Sequence, residues 1–247
     1  MNLLAFDTST DLMSVAVSRS GGAADAPRPL WQHTAPGGAQ TSAHLIPLIQ
    51  HLMAQAGLQF SQLDAIVFGS GPGSFTGLRT ACAVAQGLAF GAHVKVLPVD
   101  TLLAVAEEAR FQQAGGQARF AVRALLDARM DEMYAACYLF ESDRWIKTEG
   151  HSLIRPEDLV DGAGCALAGN VFAAYGERLP GARALSSAAA ASAPRIHALP
   201  TATALLRLAP ALLAGGAAVR ADQALPLYIR DKVAKTTLER AAEKAAL

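Results

Sequence analysis

The strongest constraint on the fold of this chain is an internal repeat, in which residues 4–7 (LAFD) match residues 124–127 (ALLD). At the same shift of about 120 residues, further identical pairs follow, namely Asp11 and Asp131, Met13 and Met133, and Ala16 and Ala136. Both copies have the pattern of an apolar strand, an acidic turn and a second strand. A unit repeated over half the chain predicts two similar lobes that face each other across a cleft. Asp7 and Asp127 would lie at equivalent turns on its floor.

Strands and helices alternate along the chain, which is typical of an α/β protein. Apolar runs predict strands at residues 3–6, 12–17, 65–68, 94–99 and 166–170. Hydrophobic periodicity and capping residues predict helices at residues 42–56, 75–90, 101–113 and 201–214. We predict a first lobe of residues 1–105 and a second of residues 106–247, with the last helix returning to the first lobe. The remaining segments predict a loop at residues 182–193 and a polar helical tail at residues 234–247.

The charge balance argues against several functional classes. The 247 residues include 21 Lys plus Arg and 21 Asp plus Glu, so the chain lacks the basic excess that binding nucleic acid by itself requires. Only 17% of the residues are charged while 52% are hydrophobic, which indicates a large core and a partly apolar surface.

Three widely spaced cysteines, Cys82, Cys137 and Cys165, are typical of thiols in a reducing compartment. Without a basic leader or an apolar run of about 18 residues, we expect a cytoplasmic protein with no membrane contact.

A glycine-rich loop, GPGSFTGLR at residues 71–79, lies between a predicted strand and a predicted helix. Backbone amides at the start of a helix favour an anion, so the loop could hold a phosphate. Alternatively, its glycines permit a tight turn and close packing. The loop is not a Walker motif, because Leu78 stands where the lysine should be, and it lacks the third glycine of a dinucleotide fingerprint. The residues of this candidate phosphate loop are Asp7, Thr8, Gly71, Gly73, Ser74, Thr76, Gly77 and Asp127.

The acidic residues of the two repeated turns have two interpretations. Asp7, Asp11, Asp127 and Asp131 could coordinate a hydrated Mg²⁺ near a phosphate. Equally, an aspartate after a strand often bonds its own backbone in a turn. Among the histidines, His44 and His51 would lie about 10.5 Å apart along a helix axis, too far for one metal ion. The sequence has no His-x-x-x-His pair and no Gly-x-Ser-x-Gly elbow, so we predict neither a metal site nor a catalytic residue.

Two predicted helices have wider apolar faces than packing on one sheet requires. On the first, the apolar residues span an arc of roughly 160°, against the ~100° of an ordinary amphipathic helix. On the second, small and apolar residues wrap nearly around the helix. A thick core would explain both faces, but we favour a surface for another subunit. The predicted partner-binding residues are Leu45, Leu48, Ile49, Leu52, Met53, Leu78, Cys82 and Ala85.

Four segments together carry a resemblance to a known family: LLAFDTST at residues 3–10, FGSGPGSFTGLR at 68–79, LDARMDEMY at 126–134 and PLYIR at 226–230. The chain resembles the bacterial TsaB (YeaZ) family, whose members help to make threonylcarbamoyladenosine beside the anticodon of tRNA. The resemblance is weakest at residues 162–199. It implies an α/β, two-lobed, duplicated fold of the ASKHA (actin/Hsp70-like) type, in agreement with the repeat.

The resemblance also implies a function without catalysis. The homologous transferase TsaD binds a metal through a His-x-x-x-His pair, and Thr101 and Val105 stand at the corresponding positions. Neither side chain can replace an imidazole on a transition metal. The implied role is a non-catalytic subunit that binds and activates TsaD together with the ATPase TsaE, and that meets tRNA only through this complex. No tightly bound cofactor is expected, although the family arrangement has ATP or ADP near the subunit junction.

Two other interpretations stay open beside the family role. One is an independent ATP- and Mg²⁺-dependent enzyme built around Asp7 and Asp127, or a peptidase of the glycoprotease kind. The other is a homodimer formed on the same helix pair that would bind TsaD.

Overall fold

The structure is a computed structural model that describes residues 1–21, 28–113, 118–160, 164–179 and 194–230. The loop predicted at residues 182–193 and the tail predicted at residues 234–247 lie outside the described residues. In the described part of the chain, no helix combines the length and apolar character needed to cross a membrane.

The first lobe is built on a five-stranded sheet. Its strands are β1 (Leu3–Asp7), β2 (Leu12–Ser18), β3 (Leu30–Pro36), β4 (Ala65–Gly71) and β5 (Lys95–Asp100). They lie in the order β3-β2-β1-β4-β5, with β1, β4 and β5 parallel to one another and β2 antiparallel to β1. Because the carboxyl ends of parallel strands meet at one edge, Asp7, Gly71 and Asp100 share the same end of the sheet.

The second lobe repeats this arrangement. Its strands are β6 (Arg119–Asp127), β7 (Met133–Glu141), β8 (Arg144–Ile154), β9 (Ala166–Gly169) and β10 (Arg195–His197). They lie in the order β8-β7-β6-β9-β10, which corresponds strand by strand to β3-β2-β1-β4-β5 of the first sheet. As in the first sheet, the first two strands along the chain, β6 and β7, are antiparallel, and β9 lies parallel to β6. The acidic turn after β1 therefore corresponds to the turn after β6. The predicted duplicated α/β fold is confirmed.

Five helices flank the sheets in the described ranges: α1 (Thr41–Ala56), α2 (Phe75–Ala92), α3 (Thr101–Gln113), α4 (Phe172–Tyr175) and α5 (Ala202–Ala214). α1 ends where Gly57 adopts a left-handed conformation with φ +62°. α2 begins after Ser74, whose hydroxyl accepts a hydrogen bond from the Gly77 amide. These capping residues explain why the end of α1 and the start of α2 predicted from the sequence agree with the observed ones.

The first sheet is covered on both faces. Leu4 and Phe6 of β1 pack against α1 and α2, whereas Leu3 and Ala5 of the same strand pack against α5. The sequence of a strand that is buried on both faces is a continuous run of apolar residues, as it is in β1 before Asp7. α5 follows the second sheet in the chain but packs on the first one through Leu205 and Ala209. The division at residue 105 stays a prediction.

α3 lies between the two lobes. Its residue Ala104 belongs to the core formed with β1 and α5, and the next residue, Val105, belongs to the core of the second sheet. Leu103 packs against both cores. One helix therefore supplies side chains to both lobes.

The structure corrects the predicted partner-binding residues. In the folded chain Leu48 is half-buried, and the others are at most 5% exposed, namely Leu45, Ile49, Leu52, Met53, Leu78, Cys82 and Ala85. Six of them pack between the two helices and the sheet and are not available to a partner, namely Leu45, Ile49, Leu52, Met53, Cys82 and Ala85. Leu48 lies at the margin of this core, and Leu78 packs beside Gly71. The wide apolar arc arises because each helix buries one flank on the sheet and another on its neighbour. The outward face of the pair consists of other residues, including Ile46, Ala83, Gly87 and Phe90.

Candidate functional site at the cleft between the lobes

A cavity of about 360 Å³ lies in the cleft between the lobes. It is bounded by the turn after β1, the start of α2, the turn after β6 and the last described residues of the chain. Of the predicted phosphate-loop residues, Gly73, Ser74, Thr76 and Asp127 line this cavity. The other polar lining residues include Ser9, Asp11, Arg129, Tyr134, Asn170, Tyr228 and Arg230.

Asp7 lies beneath the cavity and does not line it. The side chain is fully buried, and its Oδ1 accepts hydrogen bonds from the Ser9 amide at 2.9 Å and the Ser9 hydroxyl at 2.7 Å. Its Oδ2 has no partner among the described residues. Burial raises the pKa of Asp7 to about 6, although the hydrogen bonds from Ser9 oppose the shift. Asp7 thus has the geometry of an aspartate that closes a turn.

Asp127 makes the same turn contact in the second lobe. Its Oδ1 accepts a hydrogen bond from the Arg129 amide at 2.8 Å, two residues further on, as Asp7 does from Ser9. The Tyr175 hydroxyl donates to the same oxygen at 2.9 Å, and the Asp127 amide donates to the Asn170 side chain at 2.9 Å. The backbone-bonding interpretation of the two aspartates is therefore supported by their geometry.

The glycine loop packs directly on the turn after β1. A Cβ added at Gly77 would lie 1.9 Å from the Thr8 carbonyl oxygen, and one at Gly73 would lie 2.6 Å from the Ser9 carbonyl oxygen. The Thr8 hydroxyl donates to the Gly77 carbonyl at 2.7 Å, and the Ser74 amide donates to the Ser9 carbonyl at 2.8 Å. Close packing explains these two glycines. The use of the loop for a phosphate stays a prediction.

The turn after β6 contains three consecutive residues in the left-handed region: Arg129, Met130 and Asp131, with φ of 61°, 56° and 60°. None is glycine, and each such residue costs about 1 kcal/mol relative to the right-handed conformation. Arg178 pairs with Asp131 at 2.9 Å, and Arg230 pairs with the next residue, Glu132. The turn is therefore a strained segment that tertiary contacts hold in place at the mouth of the cavity.

An ion pair crosses the cleft between the two repeated turns. Arg129 Nη2 lies 2.9 Å from both Oδ1 and Oδ2 of Asp11. Because Asp11 pairs with Arg129 and Asp131 pairs with Arg178, these carboxylates are already neutralised by arginines. Among the described residues, no group of three or more His, Cys, Asp or Glu side chains is arranged to hold a metal ion.

Thr101 and Val105, which the resemblance placed at the positions of TsaD's metal-binding pair, are fully buried in α3. The Thr101 hydroxyl accepts a hydrogen bond from the Gly71 amide at 3.0 Å, so it fixes the glycine loop. Val105 packs in the core of the second lobe. Both positions serve the fold, and their side chains offer a metal no imidazole.

A polar cluster around Asp100, which sequence reasoning missed, also joins the lobes. Asp100 Oδ2 accepts from the Tyr138 hydroxyl at 2.7 Å, from His151 Nε2 at 2.9 Å and from Lys147 Nζ at 2.6 Å. Burial opposes ionisation, but the hydrogen bonds from His151 and Lys147 outweigh it and lower the pKa of Asp100. No spacing in the sequence brings these residues together, because Tyr138, Lys147 and His151 lie on strands β7 and β8 of the other lobe.

The fold and cleft define a two-lobed ASKHA (actin/Hsp70-like) protein. A family model described as TsaD, tRNA N6-adenosine threonylcarbamoyltransferase, matches residues 33–238. The solved structure of YeaZ from Pseudomonas aeruginosa is 35% identical, with a TM-score of 0.77 over 92% of this chain and 99% of that chain. The chain belongs to the TsaB (YeaZ) family, as its sequence motifs predicted.

Two curated relatives agree with this placement. The tRNA threonylcarbamoyladenosine biosynthesis protein TsaB of Haemophilus influenzae is 42% identical over 135 residues, covering 54% of this chain and 52% of the relative. The protein of the same name from Escherichia coli is 35% identical over 162 residues, covering 64% of each chain. The matches thus span less than two thirds of the length of these curated relatives.

Proposed function

We propose that this chain is a non-catalytic subunit required for threonylcarbamoyladenosine modification of tRNA, and that it binds and activates a TsaD-type transferase together with the ATPase TsaE. The observation that carries the proposal is the burial of Thr101 and Val105 in a chain that matches the transferase family model. Where a transferase would hold its metal, this chain has a loop-fixing hydroxyl and a core valine. Such a chain keeps the fold and lacks the catalytic ligands.

The outward face of α1 and α2 is the surface that we assign to the transferase. Gly87 and Gly91 of α2 are exposed, and no atom lies within 4 Å of a Cβ added at either. A glycine inside a helix costs about 1 kcal/mol relative to alanine, and nothing in the described chain requires one here. Phe90, 76% exposed, and Ile46, 41% exposed, flank this face. Small residues beside exposed apolar ones would let the helices of a partner pack closely against this face.

A second copy of the chain could occupy the same face. Because a homodimer with two-fold symmetry would use the same patch on both copies, it would compete with the transferase. Size-exclusion chromatography of the chain, with and without TsaD, distinguishes these two assemblies.

We further propose that ATP or ADP is held at the junction with the transferase and not by this cleft alone. The glycine loop lacks a lysine, Asp7 is buried and Asp11 is paired with Arg129, so the cleft offers little for a Mg²⁺–phosphate group. The same features weigh against an independent ATP-dependent enzyme. Calorimetry of the isolated chain with ATP and Mg²⁺ should give little heat, and tight binding would favour the enzyme instead.

The proposed function is tested by a reconstituted modification assay. Purified TsaD, TsaE and unmodified tRNA are supplied with the activated threonylcarbamoyl donor, and the modified nucleoside is measured by mass spectrometry. We expect modification only when this chain is added, and none from this chain alone. Full modification by TsaD and TsaE without it would refute the proposal. We place this role in the cytoplasm, where unpaired cysteines stay reduced.

A further inference from the structure

The last described residues, 219–230, form a segment here called the C-terminal strap, which has one 3-10 turn (Ala221–Gln223) and otherwise no helix. It begins on the first sheet, where Val219 and Val96 exchange backbone hydrogen bonds of 3.0 and 2.8 Å. It then follows α2 towards the start of that helix. The Ala224 carbonyl accepts from Gln86 Nε2 at 2.8 Å and from the Cys82 thiol at 3.3 Å. The strap therefore lies along the flank of the helix whose outward face we assign to a partner.

Near the start of α2 the strap enters the cleft. The Tyr228 hydroxyl accepts from Arg79 Nε at 3.1 Å, and its ring lies 5.3 Å from the ring of Phe75. The Leu227 amide donates to the Ser70 carbonyl at 2.7 Å. Gly71, with φ +127°, makes room for this crossing, since a Cβ there would lie 2.3 Å from the Leu227 carbonyl oxygen.

The strap ends on the second lobe. Ile229 packs against the core of the second sheet, and Arg230 reaches the left-handed turn. Arg230 Nη2 pairs with Glu132 and also lies 3.4 Å from the Arg129 carbonyl oxygen, and Nη1 lies 3.1 Å from Met130 Sδ. The Arg230 side chain is only 11% exposed, so its contacts are largely screened from water. Arg230 thus bonds three residues of the strained turn.

We infer that the C-terminal strap couples the α2 helix of the first lobe to the left-handed turn of the second lobe. A displacement of the strap at Ala224 or Tyr228 is transmitted through Arg230 to the turn, and from there to the Arg129–Asp11 pair that crosses the cleft. The turn is suited to such a response, because its left-handed residues are strained and, beside its local hydrogen bonds, it is held by Arg178 and Arg230 from elsewhere in the fold. That a partner is what displaces the strap rests on the proposed function.

The contribution of Arg230 to the stability of the turn is tested by hydrogen–deuterium exchange of the full chain, measured on peptides that cover residues 127–133. Arg230→Gln removes the guanidinium and its charge and leaves a shorter, neutral polar side chain. It should speed exchange in this segment about tenfold, as expected for the loss of a charge-assisted hydrogen bond. Glu132→Gln removes the same ion pair by changing the residue on the turn, so its exchange rate is an independent test of the pair. Arg119→Gln is the matched control, because Arg119 pairs with Glu141 at the ends of β6 and β7 opposite the turn, outside the strap.

The coupling is tested from the other end of the strap. Gln86→Ala removes the shorter of the two hydrogen bonds that α2 donates to the Ala224 carbonyl, and it should also speed exchange at residues 127–133. Gln50→Ala, at an exposed position of α1, should not. Wild-type exchange at the turn in Gln86→Ala would overturn the coupling. A uniform increase over the whole chain would also overturn it, because that result indicates global destabilisation.

A third arm separates this inference from the proposed function. TsaD is added to the wild-type chain, and complex formation and exchange are measured in the same sample. A complex with altered exchange at residues 127–133 supports the inference. A complex without that change overturns its partner-driven part, and absence of a complex counts against the proposed function alone.

Discussion

The carboxylate of Asp7 fills the space that a side chain at Gly69 would need: a Cβ at Gly69 would lie 1.8 Å from Asp7 Oδ2. The two residues lie on neighbouring parallel strands, β1 and β4, at the carboxyl ends of these strands below the cleft. Gly69 is therefore required by the buried carboxylate, and the two positions depend on each other.

This dependence predicts the effect of Gly69→Ala. The added methyl group must displace Asp7 from its bonds to Ser9, so we expect a loss of about 2–4 kcal/mol in the free energy of unfolding. Urea denaturation followed by circular dichroism measures it. Gly87→Ala is the matched control, because the Cβ there meets open space on a helix and should stabilise the chain by up to about 1 kcal/mol. Equal stabilities for both variants would show that the Asp7 carboxylate moves freely.

The raised pKa of Asp7 predicts a pH-dependent stability. The pKa rises from 3.8 to about 6 on folding, so the folded chain binds this proton more tightly than the unfolded chain does. The stability contributed by the protonated group is fully present below the unfolded pKa and is lost as pH rises through the folded pKa. The loss amounts to about 3 kcal/mol, from the two pKa values.

Comparison with Asp7→Asn isolates this effect. The stability of the variant relative to the wild type should increase between about pH 4 and pH 7, since the amide cannot ionise. Asp143→Asn, at an exposed carboxylate, serves as the control. Urea unfolding at several pH values gives both curves, and parallel curves for wild type and Asp7→Asn would contradict the prediction.

The outward face of α2 gives a prediction about the partner. Gly87→Arg places a long charged side chain on the exposed face, where the folded chain has open space, so the monomer should keep its stability within about 1 kcal/mol. Binding to TsaD should weaken at least about tenfold, because the charge would be desolvated at the interface. Gly150→Arg, also at an open position but on β8, is the control. Unchanged co-elution of Gly87→Arg with TsaD would exclude this face.

Leu52→Asp should behave differently from Gly87→Arg. Leu52 is 3% exposed in the core between α1 and the sheet, so a carboxylate there should destabilise the monomer by at least about 3 kcal/mol. The thermal unfolding midpoint of the isolated chain reports this loss. A stably folded Leu52→Asp monomer would mean that the α1 side chain is not packed as described.

The ion pair across the cleft should contribute little to stability. Arg129 and Asp11 have side chains that are 69% and 81% exposed, so Asp11→Asn should change the free energy of unfolding by less than about 1 kcal/mol. The effect should shrink further at high salt, because exposed charges are screened. Urea denaturation at low and high ionic strength checks both statements, and a loss well above that size would indicate a buried role for the pair.

Much of the fold follows from local sequence signals. The repeat predicted the matching sheets, and Gly57 and Ser74 mark the end of α1 and the start of α2. β3 and β8 went unpredicted because they are edge strands whose side chains are mostly exposed, so they lack the apolar alternation of a half-buried strand.

The site was harder to predict from the sequence. Arg129, Met130 and Asp131 carry no glycine or asparagine signal for a left-handed turn. Arg230, which bonds Arg129, Met130 and Glu132, lies about 100 residues further along the chain. The partner-binding residues were misassigned because periodicity counts apolar positions without showing which neighbour covers them. Leu45 and Ile49, for example, face the first lobe's core.

The position of α3 has a consequence for how the chain unfolds. Since Ala104 and Val105 are adjacent yet belong to the cores of different lobes, neither lobe can lose its structure without exposing side chains of the other. The duplicated halves should therefore melt together in a single cooperative transition, with calorimetric and van't Hoff enthalpies that agree. Duplication produced two sheets, but the helix between them makes them one thermodynamic unit.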